Sequence, residues 1–267
     1  MTSVVITGST RGIGLGLAEN FLKRGCQVVI SSRHQNDVDN VVYRLGQTFG
    51  DQQVTGKACD ICDAGQLSAL WEHAKDKFNG VDIWINNAGM SISRAPLVEQ
   101  SADDLTHIVQ TNFTGALLAS HVALKGMQKQ GFGQLWNMEG FGSNDATQAG
   151  MTAYGATKRA VRYLNKSLQK EIKGTALQVN TLSPGIVITD LLIGDYDTQS
   201  QAWHKAKKIF NILGDKVDTV TPWLVDGVLK ANKSGSKVVW LTTGKAFRRF
   251  LTAGFNKRDL FVDIEGV

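Results

Sequence analysis

The sequence predicts an α/β fold, a doubly wound parallel sheet of about seven strands with helices on both faces. Three observations predict it. Short β-branched runs recur along the 267 residues, longer stretches of helical period separate them, and no repeat, linker or low-complexity tract breaks the alternation. Strand, crossover and strand in that order close into a parallel sheet, because right-handed crossovers are the general solution. The length suits one core, so residues 1–267 are expected to form a single domain.

Seven strands are expected over Ser3–Thr7, Gln27–Ser32, Val54–Cys59, Val81–Asn86, Gly133–Met138, Leu177–Leu182 and Lys237–Thr242. Between them the helical period marks Gly12–Arg24, Asn36–Phe49, Ala64–Phe78, Ala102–Lys129, Thr152–Lys173 and Pro222–Ala231. The stretch 184–216 has no evident partner in this alternation and contains Tyr196, Trp203 and Phe210. A segment of that kind is expected to be either a lid over a substrate or disordered. Residues 243–267 read as a C-terminal extension, in which the run Lys245–Leu251 mixes apolar and basic residues as an interfacial helix does, and reads equally as a helix docked on the domain or on another subunit.

With 42% hydrophobic and 20% charged residues, the composition excludes a disordered or disulfide-stapled chain. Three cysteines, Cys26, Cys59 and Cys62, are too few for a secreted framework, so a reducing, cytoplasmic location is expected. Cys59 and Cys62 form a C-x-x-C without a second pair or adjacent histidines, and no metal site is expected. Met1 runs directly into an apolar strand, which leaves no room for a leader, and no apolar run is long enough to span a bilayer. The net charge of +5 is uneven: residues 201–258 hold twelve Lys and Arg against three Asp, a net of +9. That basic quarter reads as a solvated face, or as one that meets an anionic substrate or a membrane surface; nucleic acid is not expected as a partner.

Thr7-Gly8-Ser9-Thr10-Arg11-Gly12-Ile13-Gly14 follows the first strand and opens a helix. Glycines there allow backbone N–H groups to approach a pyrophosphate, which the helix N-terminus favours through its partial positive charge. Strand, glycine turn and helix together mark a Rossmann-type dinucleotide site. The second strand ends in Ser31-Ser32-Arg33, where an NAD site places an acid. Arg33 suits a 2′-phosphate instead and Arg11 adds a second positive charge, so the expected cofactor is NADP(H).

These residues resemble the short-chain dehydrogenase/reductase family, whose glycine motif is spaced T-G-x-x-x-G-x-G, and the likeness covers nearly the whole chain. Its further motifs occur in order. The resemblance implies adenine contacts from Asp60-Ile61 and support of the cofactor ribose from Asn86-Asn87-Ala88-Gly89. It implies a water held by Asn112 that links Lys158 to solvent, and nicotinamide contacts from Ser183-Pro184-Gly185 with Thr189. Family members often pair through the two long helices, here Ala102–Lys129 and Thr152–Lys173, so a homo-oligomer, dimer or tetramer, is expected.

Tyr154 and Lys158 are four residues apart, hence on one helix face and able to reach one pocket. A phenol near pKa ~10 is a poor acid at neutral pH, and a neighbouring ammonium favours its phenolate. Tyr154 can then protonate a carbonyl oxygen as hydride arrives, or reverse both steps on an alcohol. Lys158 also anchors the nicotinamide ribose, by resemblance. The family's substrate-orienting serine falls thirteen residues before the tyrosine, where this chain has Phe141; the nearest hydroxyl, Ser143, is the candidate second donor, with Glu139 as a competing polar residue.

The stretch Asn137-Met138-Glu139-Gly140-Phe141-Gly142-Ser143 is similar to the chlorophyll b reductase branch of the family, and the likeness continues through Ser183–Leu192, Lys208–Leu213 and the tail to Arg258. It implies NADPH reduction of the C7 formyl group of chlorophyll b or chlorophyllide b to hydroxymethyl. The tetrapyrrole would need a broad apolar pocket, which residues 184–216 and Phe247–Phe255 can supply. Two alternatives stay open: a reductase of another lipophilic aldehyde or ketone, and a non-catalytic NADP(H)-binding sensor or scaffold.

Overall fold

The computed structural model describes residues 1–194 and 196–262; the last five positions of the expected C-terminal extension lie outside the described residues. Strands β1 (Ser3–Thr7), β2 (Gln27–Ser31), β3 (Val54–Gly56), β4 (Ile83–Asn86), β5 (Gly133–Met138) and β6 (Leu177–Ser183) alternate with helices α1 (Gly12–Leu22), α2 (Gln35–Phe49), α3 (Ala64–Phe78), α4 (Ala102–Val109), α5 (Ala116–Gln130) and α6 (Thr152–Glu171). After β6 come β7 (Val187–Ile188), α7 (Asp190–Ile193), α8 (Gln201–Leu213), β8 (Asp215–Lys216), α9 (Val217–Lys230), β9 (Lys237–Val239) and α10 (Thr243–Thr252). Seven strands form one sheet in the order β3-β2-β1-β4-β5-β6-β9. All of its pairings are parallel.

This is the expected doubly wound sheet. One face buries β1, β2 and β4 against α1, α2 and α9 through residues such as Val4, Leu17, Phe21, Val28, Val38 and Leu224. The other buries them against α3 and α5 through Val5, Leu67, Trp71, Trp84, Ala119 and Met127. Strands covered on both sides read as near-continuous apolar runs, which is how they were legible. The strand order reverses between β1 and β4, so a crevice opens at the carboxyl ends of these strands.

Several boundaries differ from expectation. The strand expected over Val54–Cys59 stops at Gly56, the one expected over Val81–Asn86 starts at Ile83, and β9 ends at Val239, opposite Ser183 at the end of β6. Cys59 therefore lies beyond β3, buried and free, and Cys62 is free and exposed. Helix α9 starts five residues before Pro222, which lies inside it. Proline there forgoes one backbone hydrogen bond. Burial of Val220, Leu224, Val225 and Val228 offsets the loss. Ala102–Lys129 is broken by a π-helical segment over Gln110–Gly115. Residues 184–216 carry two short strands, which pair with each other, and two helices. The pattern of sequence alone missed β7, α7 and β8, which are too short to establish a period, and also left the 13-residue α8 unassigned.

A chain of buried amides crosses the sheet. Trp84 Nε1 donates to Asn86 Oδ1 (2.8 Å), and Asn86 Nδ2 donates to Asn137 Oδ1 (2.8 Å) and Ser120 Oγ (3.0 Å). Asn137 Nδ2 donates to Asn165 Oδ1 (2.8 Å), and Asn165 Nδ2 to Thr181 Oγ1 (3.4 Å). Asn86 faces Asn137, and Asn137 faces Thr181, in the strand register, so β4, β5, β6 and α6 are bonded at one level. Replacing the central member leaves buried Asn165 Oδ1 without its donor and takes one acceptor from Asn86 Nδ2. Asn137→Leu is expected to lower unfolding free energy by about 2–4 kcal/mol, measured by urea denaturation.

Candidate active site

The crevice is a cleft of about 1860 Å³ that runs from the glycine turn, across the ends of β4 and β5, to the segment after β6. Small-molecule pockets commonly occupy roughly 300–1,000 Å³, so this one has room for more than one molecule. At one end lies the turn between β1 and α1. Gly8 has φ +63°, and a Cβ there would meet Ala88 Cα at 2.8 Å. A Cβ on Gly14 would meet Asn87 Nδ2 at 2.6 Å, so any side chain would close the cradle. Asn87 holds the turn from below, its amide donating to Thr7 O (3.0 Å) and Gly8 O (2.9 Å). Arg11 is the N-cap of α1 and makes no side-chain cap bond, and no acid occupies the first turn, so the helix end faces the cleft open to an anion.

Ser9 is buried behind the turn, its hydroxyl donating to Ile6 O (2.7 Å) and accepting from Ser31 N (2.9 Å). It fixes the turn to β2 and does not line the cleft. Thr10, Arg11, Gly12 and Ile13 do line it. Arg33 and His34 line the far wall beside Ser32, and Arg11 and Arg33 are both exposed at this end. Asp60, Ile61, Ala88 and Gly89 border the middle. The Asp60 carboxylate accepts from Cys62 N (2.9 Å) and so shapes the loop after β3. Burial, with Asp60 nearby, pushes the Cys59 thiol up to about 12, which leaves it an unreactive thiol. Across the cleft, Pro184, Gly185 and Thr189 complete the wall; Thr189 caps α7 and stands opposite Gly12. Gly185 has φ +75° and packs on Leu241.

Tyr154 and Lys158 lie on the first turns of α6 and both line the cleft. The Lys158 amine is 5.7 Å from the centre of the Tyr154 ring and donates to Met138 O (3.4 Å). Lys158 is only 7% exposed, and burial pulls its ammonium down from 10.5 to about 8. Asn112 sits in the π-helical segment, a rare geometry frequent at functional sites. Its amide is committed on both atoms: Oδ1 accepts from Met90 N (2.8 Å), while Nδ2 donates to Met90 O (2.8 Å) and Thr157 Oγ1 (3.3 Å). It braces the loop after β4 against α6.

Ser143 is brought to the cleft but is 2% exposed. Its hydroxyl accepts from Gly140 N (3.1 Å) and donates to Lys158 O (3.3 Å), while Arg159 and Arg162 hold its carbonyl. It fastens the loop after β5 onto α6. The backbone that faces the phenol belongs to Gly140, where a Cβ would come within 2.6 Å of the Tyr154 hydroxyl and 3.2 Å of the Lys158 chain. Counting back from the tyrosine does not find this residue, and a glycine offers no chemical signal. Glu139, expected as a competing polar group, is buried and ion-paired to Lys237 at 3.0 Å.

The segment after β6 divides its aromatic residues. Trp203 (1% exposed) and Phe261 form the centre of a small core with Ile188 and Phe210, whereas Tyr196, Phe210, Leu192 and Ile209 line the cleft. Phe247–Phe255, expected to help build the pocket, does not line it; α10 packs on α8 and turns those side chains outward. Among the described residues no group of three or more His, Cys, Asp or Glu is gathered as for a metal, and no helix is long and apolar enough to cross a membrane.

Residues 2–200 match the family model described as short chain dehydrogenase. The chain belongs to the short-chain dehydrogenase family. It is therefore an oxidoreductase. Among its relatives, chlorophyll(ide) b reductase NOL, chloroplastic, of Oryza sativa subsp. japonica is 39% identical over 259 residues, which span 94% of this chain and 74% of the relative. The probable chlorophyll(ide) b reductase NYC1, chloroplastic, of Arabidopsis thaliana is 34% identical over 98% of this chain, which covers 55% of that longer protein. Among solved structures, ElxO with NADP bound is 26% identical with a TM-score of 0.76, over 89% of this short-chain dehydrogenase and 96% of the other.

Two outcomes follow from the geometry. Between about pH 8 and 10.5 the unfolded chain keeps a proton on Lys158 that the folded chain has lost, so stability of the cofactor-free protein rises with pH across that window. Urea midpoints across the window should show the rise in the native protein and its loss in Lys158→Met. Gly140→Ala should displace the phenol and lower kcat by about 100-fold, with the cofactor Kd changed by no more than about twofold, read by steady-state kinetics and fluorescence titration.

Proposed function

We propose that this chain is an NADPH-dependent carbonyl reductase that reduces the C7 formyl group of chlorophyll b or chlorophyllide b to hydroxymethyl. The observation that carries the substrate is the 39% identity to a chlorophyll(ide) b reductase over 94% of the chain, beyond the part that the glycine motifs occupy. The size of the cleft and its apolar wall of Leu192, Tyr196, Ile209 and Phe210 support a flat, greasy ligand.

The residues present fit NADP(H). Gly8, Gly12 and Gly14 leave the backbone of the turn bare, with Thr10 and Ile13 beside it and the open end of α1 for the pyrophosphate. Arg11 and Arg33 suit the 2′-phosphate. Asp60 and Ile61 would border the adenine, Asn87, Ala88 and Gly89 the ribose, and Pro184, Gly185 and Thr189 the nicotinamide. When bound, the cofactor supplies the hydride that the formyl carbon accepts.

Tyr154 gives its phenolic proton to the carbonyl oxygen, so that the aldehyde gains one hydride and one proton and leaves as an alcohol. Lys158 favours the phenolate left on Tyr154 and is positioned to hold the ribose. Asn112 keeps the loop at Met90 and the start of α6 in register around them. Ser143 acts in this reading through the loop it fastens, and the bare Gly140 leaves space at the phenol for a formyl group carried by a rigid ring. Residues 184–216 serve as the lid of one domain spanning 1–267. Exposed Val109, Leu117 and Tyr163 on the two long helices support pairing of copies through them. Three free thiols support a reducing, cytoplasmic setting for this chain, while the plant relatives' names place those proteins in the chloroplast.

Incubation with chlorophyllide b and NADPH should consume cofactor and yield the 7-hydroxymethyl product by chromatography, with NADH much less effective. Tyr154→Phe should reduce turnover by about 100-fold or more with NADPH still bound. Turnover confined to a panel of simple lipophilic aldehydes and ketones would reassign the substrate. Cofactor binding with no turnover on either would make the chain a sensor or scaffold.

A further inference from the structure

Helix α10 is built with its apolar side facing away from the protein. Phe247, Phe250 and Leu251 stand at i, i+3 and i+4, the spacing that puts three side chains on one helical face. A helix normally turns such a face inward. Here Phe247 is 66% exposed and Leu251 65%, and Phe255, just beyond the helix, is 96% exposed.

Hydrogen bonds and ion pairs on the opposite side fix that orientation. Arg249 donates to Asp215 Oδ1 (3.0 Å) and to Leu213 O (2.9 Å), and Arg258 donates to Asp215 Oδ1 (2.7 Å). Trp240 Nε1 also donates to Asp215, at 2.6 Å. Burial would push the Asp215 carboxyl up, but hydrogen bonds from Arg249 and Trp240 and the two guanidinium charges outweigh it and hold it below the usual carboxylate range. One buried acid thus clamps both ends of the segment, and the apolar stripe cannot roll inward without breaking that cluster.

Charge chooses the occupant. Arg248 and Lys257 are exposed beside the stripe, and Lys205 and Lys208 are exposed on α8, the helix on which α10 packs. Residues 201–258 carry a net +9, whereas the remainder of the chain is acidic on balance. An apolar ridge flanked by cations fits an anionic lipid surface, with the rings at the acyl boundary and the cations at the headgroups.

We propose that α10, with Phe255, docks the protein on anionic membrane surfaces through Phe247, Phe250 and Leu251. The docking is peripheral and separate from the chemistry of the cleft. It goes beyond the reductase reading and does not depend on which carbonyl is reduced.

The test is flotation of the full chain with vesicles of phosphatidylcholine alone and of phosphatidylcholine mixed with phosphatidylglycerol, at low and high salt. Native protein should float with the mixed vesicles, fail to float with phosphatidylcholine alone, and be released by salt. Phe247→Asp combined with Leu251→Asp should weaken binding at least about tenfold, with thermal midpoint and NADPH affinity kept. Three results would overturn the proposal: no flotation of native protein, equal flotation of the double variant, or a native oligomer that the double variant dissociates while neither binds vesicles, which would assign the stripe to a second copy.

Discussion

The geometry of the candidate site depends on a line of buried side-chain amides. Asn86, Asn137 and Asn165 each give and receive within one layer, and through them β4, β5 and β6 are tied to the middle of α6. Each bond adds only about 1 kcal/mol net, but a member left unpaired inside the core costs about 1–3 kcal/mol. A sliding or rotated α6 would leave several unpaired at once. The amide line therefore selects one setting of α6, and that setting decides where Tyr154 and Lys158 stand relative to the end of β5.

The loop after β5 is fixed by the same economy of partners. Ser143, Arg159 and Arg162 bond it to α6, and Glu139 reaches Lys237, the first residue of β9. Ser143 and Glu139 of this loop are spent internally, and what faces the phenol is the bare backbone of Gly140, while exposed Asn144 and Gln148 also line the cleft. Lys158 pays for its position in a different way: enclosed by that loop and by Met138, its ammonium is held less firmly than in water. A lysine tuned toward neutrality beside a phenol is suited to proton transfer near the working pH.

Beyond the sheet, Asp215 plays a comparable part. It lies at the end of the segment that walls the cleft, and its two arginines come from α10 and the chain beyond it. The cleft wall and the outward helix are thus joined through one carboxylate. The apolar core of Trp203, Phe210 and Phe261 backs the same wall, so its shape does not rest on loop residues alone.

Much of this protein was legible in its sequence. The β-branched runs and helical periods gave the seven strands and their order of occurrence, because strands buried on both faces must be apolar throughout. The glycine turn, Arg33 and the Tyr154–Lys158 pair were legible because their spacing along one turn or one helix face is local. Short elements escaped: β7, β8 and α7 hold too few residues to establish a period, and the start of α9 was hidden by Pro222, whose cost the packing overrides. The roles that depend on distant neighbours were decided only by tertiary structure. Ser143 read as a second donor to the substrate or as a loop serine making a turn, and only the fold supplied Gly140 and Lys158 as its partners, while Gly140 acquired meaning only when the phenol was brought against it. Phe247–Phe255 read equally as pocket wall or as core until Asp215, remote in sequence, fixed which side of α10 faces out. Local spacing is written in the chain itself, whereas the partner that satisfies a buried polar group, or orients an exposed apolar one, exists only after the chain has folded.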